Sequence, residues 1–207
     1  MSRGLFITLE GIEGAGKTTA IAALERYFTE SGRTCVRTRE PGGTQLGERI
    51  RQWLLDPSSS VRPDTETLLI FAARAQHLAE VICPALELGR VVLCDRFTDA
   101  TYAYQGGARR VGFARIELLE QWVQGTLRPD VTFLLDIAVS GSAARLAKRG
   151  DARDRFELEA PTFFEEVRAA YRRRAEEQGG RIYVIDAARP PHEVEQTLRT
   201  VLKRRGL

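Results

Sequence analysis

A chain of 207 residues, 43% of them hydrophobic, can bury one sizeable core but is too short for two ordinary domains. The 31 basic residues nearly balance the 28 acidic ones, leaving a formal charge of +3, which argues against a histone-like or tail-type polynucleotide binder. Lys17, Lys148 and Lys203 are the only lysines, so the positive charge is carried by arginine forks suited to phosphate and carboxylate.

In chain order, Leu5–Leu9 reads as a short buried strand and Lys17–Glu30 as a helix ended by Ser31-Gly32. Thr34–Thr38 is a second strand. After a turn rich in glycine and proline, a helix covers Gln45–Leu55 and breaks at Asp56-Pro57-Ser58-Ser59-Ser60. The spacing predicts one long helix over Asp64–Leu88, capped by Asp64, with Pro84 in its last turns. Val91–Cys94 is a strand, Phe113–Gly125 a helix, Val131–Leu135 a strand and Ser140–Lys148 a helix. Pro161–Gln178 is a helix with proline at its start, Ile182–Ile185 the final strand and His192–Arg204 the final helix. Five short apolar strands alternating with helices predict a single α/β domain over 1–207, a five-stranded parallel sheet covered on both faces.

Cys35, Cys83 and Cys94 have neither metal-ligand nor disulfide spacing and read as small buried hydrophobes. The apolar run Leu5–Leu9 is too short for a signal or a span, and no other run approaches the roughly 18 residues a span needs. The expectation is a cytoplasmic protein without a membrane or nucleic-acid partner.

The strongest motif follows the first strand. Gly11-Ile12-Glu13-Gly14-Ala15-Gly16-Lys17-Thr18 matches G-x-x-x-x-G-K-[ST], the phosphate-binding loop, in the strand–loop–helix order it requires. Gly11 to Thr19 (Gly11, Ile12, Glu13, Gly14, Ala15, Gly16, Lys17, Thr18 and Thr19) are therefore the candidate nucleoside-triphosphate-binding residues, and the loop alone leaves open which triphosphate. The glycines let backbone N–H groups curl around phosphate oxygens, and the helix that follows adds its N-terminal partial positive charge. Lys17 would reach the transferring phosphoryl group and the Thr18 hydroxyl would ligate Mg²⁺. A second carboxylate, Asp95, ends the strand Val91–Cys94 and is the other candidate Mg²⁺ ligand. Arg96 follows it at once. A GTPase would carry D-x-x-G after this strand and N-K-x-D later, and neither is present.

Glu10-Gly11-Ile12-Glu13-Gly14-Ala15-Gly16-Lys17-Thr18-Thr19, Arg39-Glu40-Pro41-Gly42-Gly43-Thr44, Asp95-Arg96-Phe97-Thr98 with Thr101-Tyr102-Ala103-Tyr104-Gln105, and Asp154-Arg155-Phe156-Glu157 together resemble the thymidylate kinase family. The match runs in order over essentially the whole chain. It implies a P-loop NTPase-type three-layer α/β/α fold of the nucleoside-monophosphate-kinase kind with a small lid at about 145–157. It also implies phosphoryl transfer from ATP to dTMP, Mg²⁺ as cofactor and a homodimer.

The same resemblance implies roles residue by residue. Arg96 grips the acceptor phosphate, as a guanidinium can do bidentately. Glu13 reads the acceptor sugar 3′-hydroxyl, and Glu10 assists the metal or serves as a structural carboxylate. Arg39 and Glu40 end the second strand in the ligand-facing zone. Arg74 resembles the arginine that meets the thymine carbonyl. The family places a base-stacking Phe four residues before that arginine, whereas this chain has Ile70 there and Phe71 three before. Both offsets lie on one helix face, so Phe71 is expected either on the base or in the core. Thr101 and Gln105 match positions that read the pyrimidine edge, with Tyr104 near the sugar.

In one branch of the family a catalytic arginine sits in the phosphate loop. Here that position is Gly14, so the lid should supply it, and Arg149, Arg153 and Arg155 are the candidates. His77 reads as a satisfied structural histidine, and Trp53 and Trp122 as core or dimer-interface residues. Two alternatives stay open on the residues alone: a kinase for another nucleotide, and a nucleotide-binding protein without turnover.

Overall fold

The computed structural model describes residues 3–150 and 153–207. Five strands, Leu5–Glu10 (β1), Cys35–Arg39 (β2), Val91–Asp95 (β3), Val131–Asp136 (β4) and Ile182–Asp186 (β5), form one parallel sheet in the order β2-β3-β1-β4-β5. Alternation along the strands feeds two cores. Leu5, Ile7 and Leu9 of β1 join Ile21, Leu24 and Phe28, whereas Phe6 joins Val92, Cys94, Leu78 and Ile82 on the opposite face. Both faces are thus covered by helices, as the apolar strands require.

Register sets the site. Leu9 pairs with Asp95, and Arg39 pairs with the same residue on the other side. The C-terminal ends of β1, β2 and β3 therefore lie in a row, where ligands gather in open α/β sheets.

The helices are Lys17–Glu30 (α1), Gln45–Leu55 (α2), Pro63–Glu87 (α3), 98–108 (α4), Phe113–Gln124 (α5), Val139–Arg149 (α6), Pro161–Glu177 (α7) and Pro191–Arg204 (α8). Two differ from expectation. Helix α3 begins on Pro63, not behind an Asp64 cap, and widens to a π turn over Leu78–Ile82 before the α turn Cys83–Glu87. Pro84 has no N–H to return to the Glu80 carbonyl, and the wide turn accommodates that loss inside a continuous helix. Helix α4, an α turn Thr98–Thr101 running into a π segment Tyr102–Ala108, was not expected at all. Gly106 and Gly107 have low helix propensity, but close packing on α7 holds the segment helical, with an ideal Cβ on Gly107 only 2.7 Å from Ala170 Cβ.

By length and composition alone, α3 could cross a bilayer. Its buried residues include Glu66, Arg74 and His77, each paired within the protein, and Leu78 and Ile82 pack on the sheet. It is a core helix of this domain.

Candidate active site

The C-terminal ends of β1, β2 and β3 open into a cleft of 630 Å³. One end is the phosphate loop. Glu13, Gly14, Gly16, Lys17 and Thr18 line it, while Gly11, Ile12 and Ala15 are buried beneath and Thr19 is exposed on α1 outside the lining. Gly14 has φ +71°, and an ideal Cβ there would stand 2.9 Å from the Ser142 carbonyl oxygen and 3.2 Å from Leu146 Cγ. The packing of α6 against the loop thus leaves no room for an arginine at this position. Lys17 Nζ donates to the Gly11 and Ile12 carbonyls at 3.1 Å. Burial, with Arg96 as the next cause, brings its pKa down to about 8.

Beside the loop stands Asp95. Its Oδ1 is buried and has no protein partner, and it shares the cleft lining with Thr18 and Lys17. A carboxylate oxygen in that condition, in a cleft that a threonine also lines, fits Mg²⁺, which binds through one or two protein oxygens plus phosphates.

Arg96 adopts φ +66°, an uncommon conformation for an arginine, held by its N–H donating to the Leu9 carbonyl at 2.9 Å. The turn aims its guanidinium back over the Tyr104 ring, 4.9 Å from the centroid. There Nη2 donates to Glu13 Oε1 at 2.8 Å and Nη1 to the Tyr171 hydroxyl at 3.2 Å. The Tyr104 hydroxyl donates to both Glu13 oxygens at 2.8 and 2.7 Å. Glu13, an odd charge for a phosphate loop, is thereby held at the cleft wall.

Of the two roles expected for Glu10, the structural one has its partners in place. Glu10 is fully buried and off the cleft lining; Oε1 accepts from the Phe97 N–H and Oε2 from the Tyr171 hydroxyl, both at 2.8 Å. Burial, followed by the nearby Asp99, raises its pKa to about 8. The carboxyl braces the turn that presents Arg96.

The far wall comes from α3 and α4. Arg74 is buried, its Nε donating to Glu40 Oε2 at 2.7 Å and its Nη2 to Thr101 Oγ1 at 2.9 Å. Its guanidinium lies between the rings of Phe71 and Phe97, 4.7 and 4.9 Å from their centroids. Arg74 Nη1 is left as a buried donor with no protein partner. Glu40 is held by His77, whose Nδ1 lies 3.0 Å from Oε1, while His77 Nε2 lies 2.6 Å from Thr38 Oγ1. Gly43 passes so close that a Cβ would stand 2.5 Å from His77 Nε2, at φ +79°. His77 is structural, as expected, but it belongs to the polar chain behind Arg74. Thr101, Tyr104 and Gln105 all line this wall, and so does Arg39, which also pairs with Glu48 at 2.8 Å.

Phe71 takes the second of its two expected places: it packs with Tyr102 and Ile116 off the cleft, and Ile70 takes the lining position. One residue is a turn of about 100° on a helix, which separates the two faces. Arg155 is also absent from the lining. Its Nε donates to the Leu54 carbonyl at 2.7 Å, its Nη2 donates to Glu66 Oε2, and its guanidinium lies 4.5 Å from the Phe156 centroid. With these partners it ties the segment around Phe156 to α2 and α3. Arg153 is exposed. Arg149 ends α6, and its side chain, like Asp151 and Ala152, lies outside the described residues.

Sequence reasoning missed Arg51 and Glu66. Arg51 lines the cleft from α2, donates to the Pro41 carbonyl at 3.1 Å, and has its pKa lowered by burial and then by Arg39 and Arg96. Neither residue sits in a motif; a helix position facing inward was the only available signal. The exposed Trp122 and the half-exposed Trp53 are not core residues.

The thymidylate kinase family model matches residues 9–198. The chain is 57% identical over 200 residues to a thymidylate kinase of Pseudomonas fluorescens (strain Pf0-1), covering 96% of this chain and 95% of that protein. It is 54% identical over 204 residues to a thymidylate kinase of Bordetella petrii, covering 98% and 96%. The crystal structure of thymidylate kinase from Ehrlichia chaffeensis superposes with a TM-score of 0.80 at 30% identity, covering 97% of this chain and 99% of that one. With its phosphate loop, Asp95–Arg96 turn and Arg74–Gln105 wall on one cleft, the chain is an enzyme of the thymidylate kinase family.

Proposed function

We propose that the enzyme transfers the γ-phosphoryl group of ATP to dTMP, releasing ADP and dTDP. The observation that carries this reading is that the phosphate loop and the Arg74–Thr101–Gln105 wall open onto one cleft that Arg96 also lines. A phosphate oxygen of dTMP attacks the γ-phosphorus as the bond to the ADP bridging oxygen breaks, so the protein need only position and neutralise the two anions. Lys17 exchanges its loop carbonyls for donor phosphate oxygens. Arg96, Arg51 and Arg39 face the acceptor phosphate from three elements. Glu13, held by Tyr104, accepts from the sugar 3′-hydroxyl. Thr18 and Asp95 hold Mg²⁺, which when bound draws charge from the donor phosphates. The Arg145 side chain, donating to the Ala187 carbonyl at 2.7 Å, borders the purine end of ATP. With Gly14 closed to an arginine and Arg155 clasped, Arg149 and Arg153 are the proposed lid catalysts.

A coupled ADP-release assay across dTMP, dUMP, dCMP, UMP, AMP, GMP and thymidine tests the reading. The expected result is highest kcat/KM with dTMP; preference for another acceptor, or no turnover at all, would overturn it. The homodimer is proposed on Leu68, Leu118 and Trp122, exposed on the packed helices α3 and α5. Sedimentation velocity should give a dimer, and a monomer at micromolar concentration would remove that part.

A further inference from the structure

Glu66 belongs to none of the motifs above, yet it commits the orientation of a residue on the base wall. It is a fully buried carboxylate in the first turns of α3. Oε1 accepts from Gln105 Nε2 at 2.7 Å, Oε2 accepts from Arg155 Nη2, and Arg109 Nε lies 3.6 Å from Oε1. A carboxylate in that company only accepts. A side-chain amide has one donating end and one accepting end. With its Nε2 on Glu66, Gln105 offers its carbonyl end, Oε1, to the cleft it lines.

One helical turn earlier, Thr101 takes Nη2 of Arg74 while Glu40 takes Nε, and this leaves Nη1 as the donor without a partner. Arg74 and Gln105 both line the cleft, so this wall has an unspent buried donor from one and an acceptor from the other. A 4-oxo pyrimidine with a proton on N3, thymine or uracil, presents the matching acceptor and donor. A 4-amino pyrimidine presents the reverse at both atoms.

We propose that Glu66 sets the hydrogen-bond polarity of the acceptor-base subsite, acting through Gln105 as a positioning residue that admits 4-oxo pyrimidines and rejects cytosine. The inference rests on the kinase reading above for the identity of the cleft. Its logic fixes what the amide variant should do. In Glu66→Gln the Arg155 guanidinium retains the oxygen, the new NH₂ faces Gln105, and Gln105 must turn its own oxygen toward it. Nε2 then points into the cleft, matching cytosine N3.

The test measures kcat/KM and equilibrium binding of dTMP, dUMP and dCMP for the parent and for Glu66→Gln, with a thermal melt to confirm folding. In the parent, both nucleotides with a 4-oxo base should bind well and dCMP poorly. In Glu66→Gln the dTMP to dCMP preference should fall by about 100-fold, since an unpaired buried polar group discriminates at least that strongly. A folded variant with an unchanged preference overturns the inference. A parent that binds 4-oxo over 4-amino pyrimidines yet turns over none of them refutes the kinase reading and leaves Glu66 standing. If the variant does not fold, a neutron structure of the parent with dTMP decides. Deuterons of Gln105 Nε2 should point at Glu66; deuterons pointing at the base would end the proposal.

Discussion

Replacing Glu10 by glutamine should remove a specific pH dependence of stability. Burial lifts the folded-state pKa of Glu10 from 4.5 to about 8. A carboxyl with a raised folded pKa binds more protons folded than unfolded between those values. Its stabilisation is therefore complete below the lower value and is lost as pH rises through the higher one. One pH unit in that window is worth about 1.4 kcal/mol, so the parent should lose about 4 kcal/mol between about pH 5 and pH 8. That is a large part of the roughly 5–15 kcal/mol that holds an ordinary domain together. Glutamine keeps an oxygen for the Phe97 N–H and has no proton to lose, so Glu10→Gln should lack this loss between about pH 5 and pH 8. Urea unfolding followed by far-ultraviolet circular dichroism at half-unit pH steps, with constant m-values, measures both curves. Parallel curves for parent and variant would refute the reasoning.

The other predictions concern the cleft. Arg153→Ala and Arg149→Ala should each lower kcat far more than KM, whereas Arg155→Ala should cost stability by loosening the lid clasp. Equal kcat in parent, Arg149→Ala, Arg153→Ala and the double variant would reject a catalytic lid. Asp95→Asn should raise the Mg²⁺ concentration needed for half-maximal rate by at least 10-fold, read from a metal titration; an unchanged requirement would remove Asp95 from the metal site. Gly43→Ala places a Cβ where His77 Nε2 and Thr38 Oγ1 stand 2.5 and 2.6 Å away. It should destabilise by about 1–3 kcal/mol and raise KM for dTMP, because Glu40 and Arg74 lean on His77; an unchanged melt and KM would refute that chain.

Much of the site was legible because its chemistry is local. The phosphate loop and the Asp95–Arg96 pair each sit at a strand end, and a residue's place at a strand end can be read from the apolar run before it. Helices α1 and α2 run over the residues expected from their periodicity and break signals. Helix α4 was illegible because its glycines have low helix propensity, whereas contact with α7 decides its conformation. Phe71 and Ile70 could not be told apart because the choice of face depends on where Phe97 and Tyr102 come to lie.

By itself, the sequence determined the class of fold, the nucleotide-binding loop and the inventory of arginines available to meet phosphate. Tertiary structure alone decided which of those charges are free to act. Arg155 and Arg109 are bound up with Glu66, Glu10 is sealed behind Tyr171, and Arg51 enters the cleft from a helix no motif marks. A charge acts on a ligand only when its protein partners leave a donor or acceptor over, and those partners lie dozens of residues away along the chain.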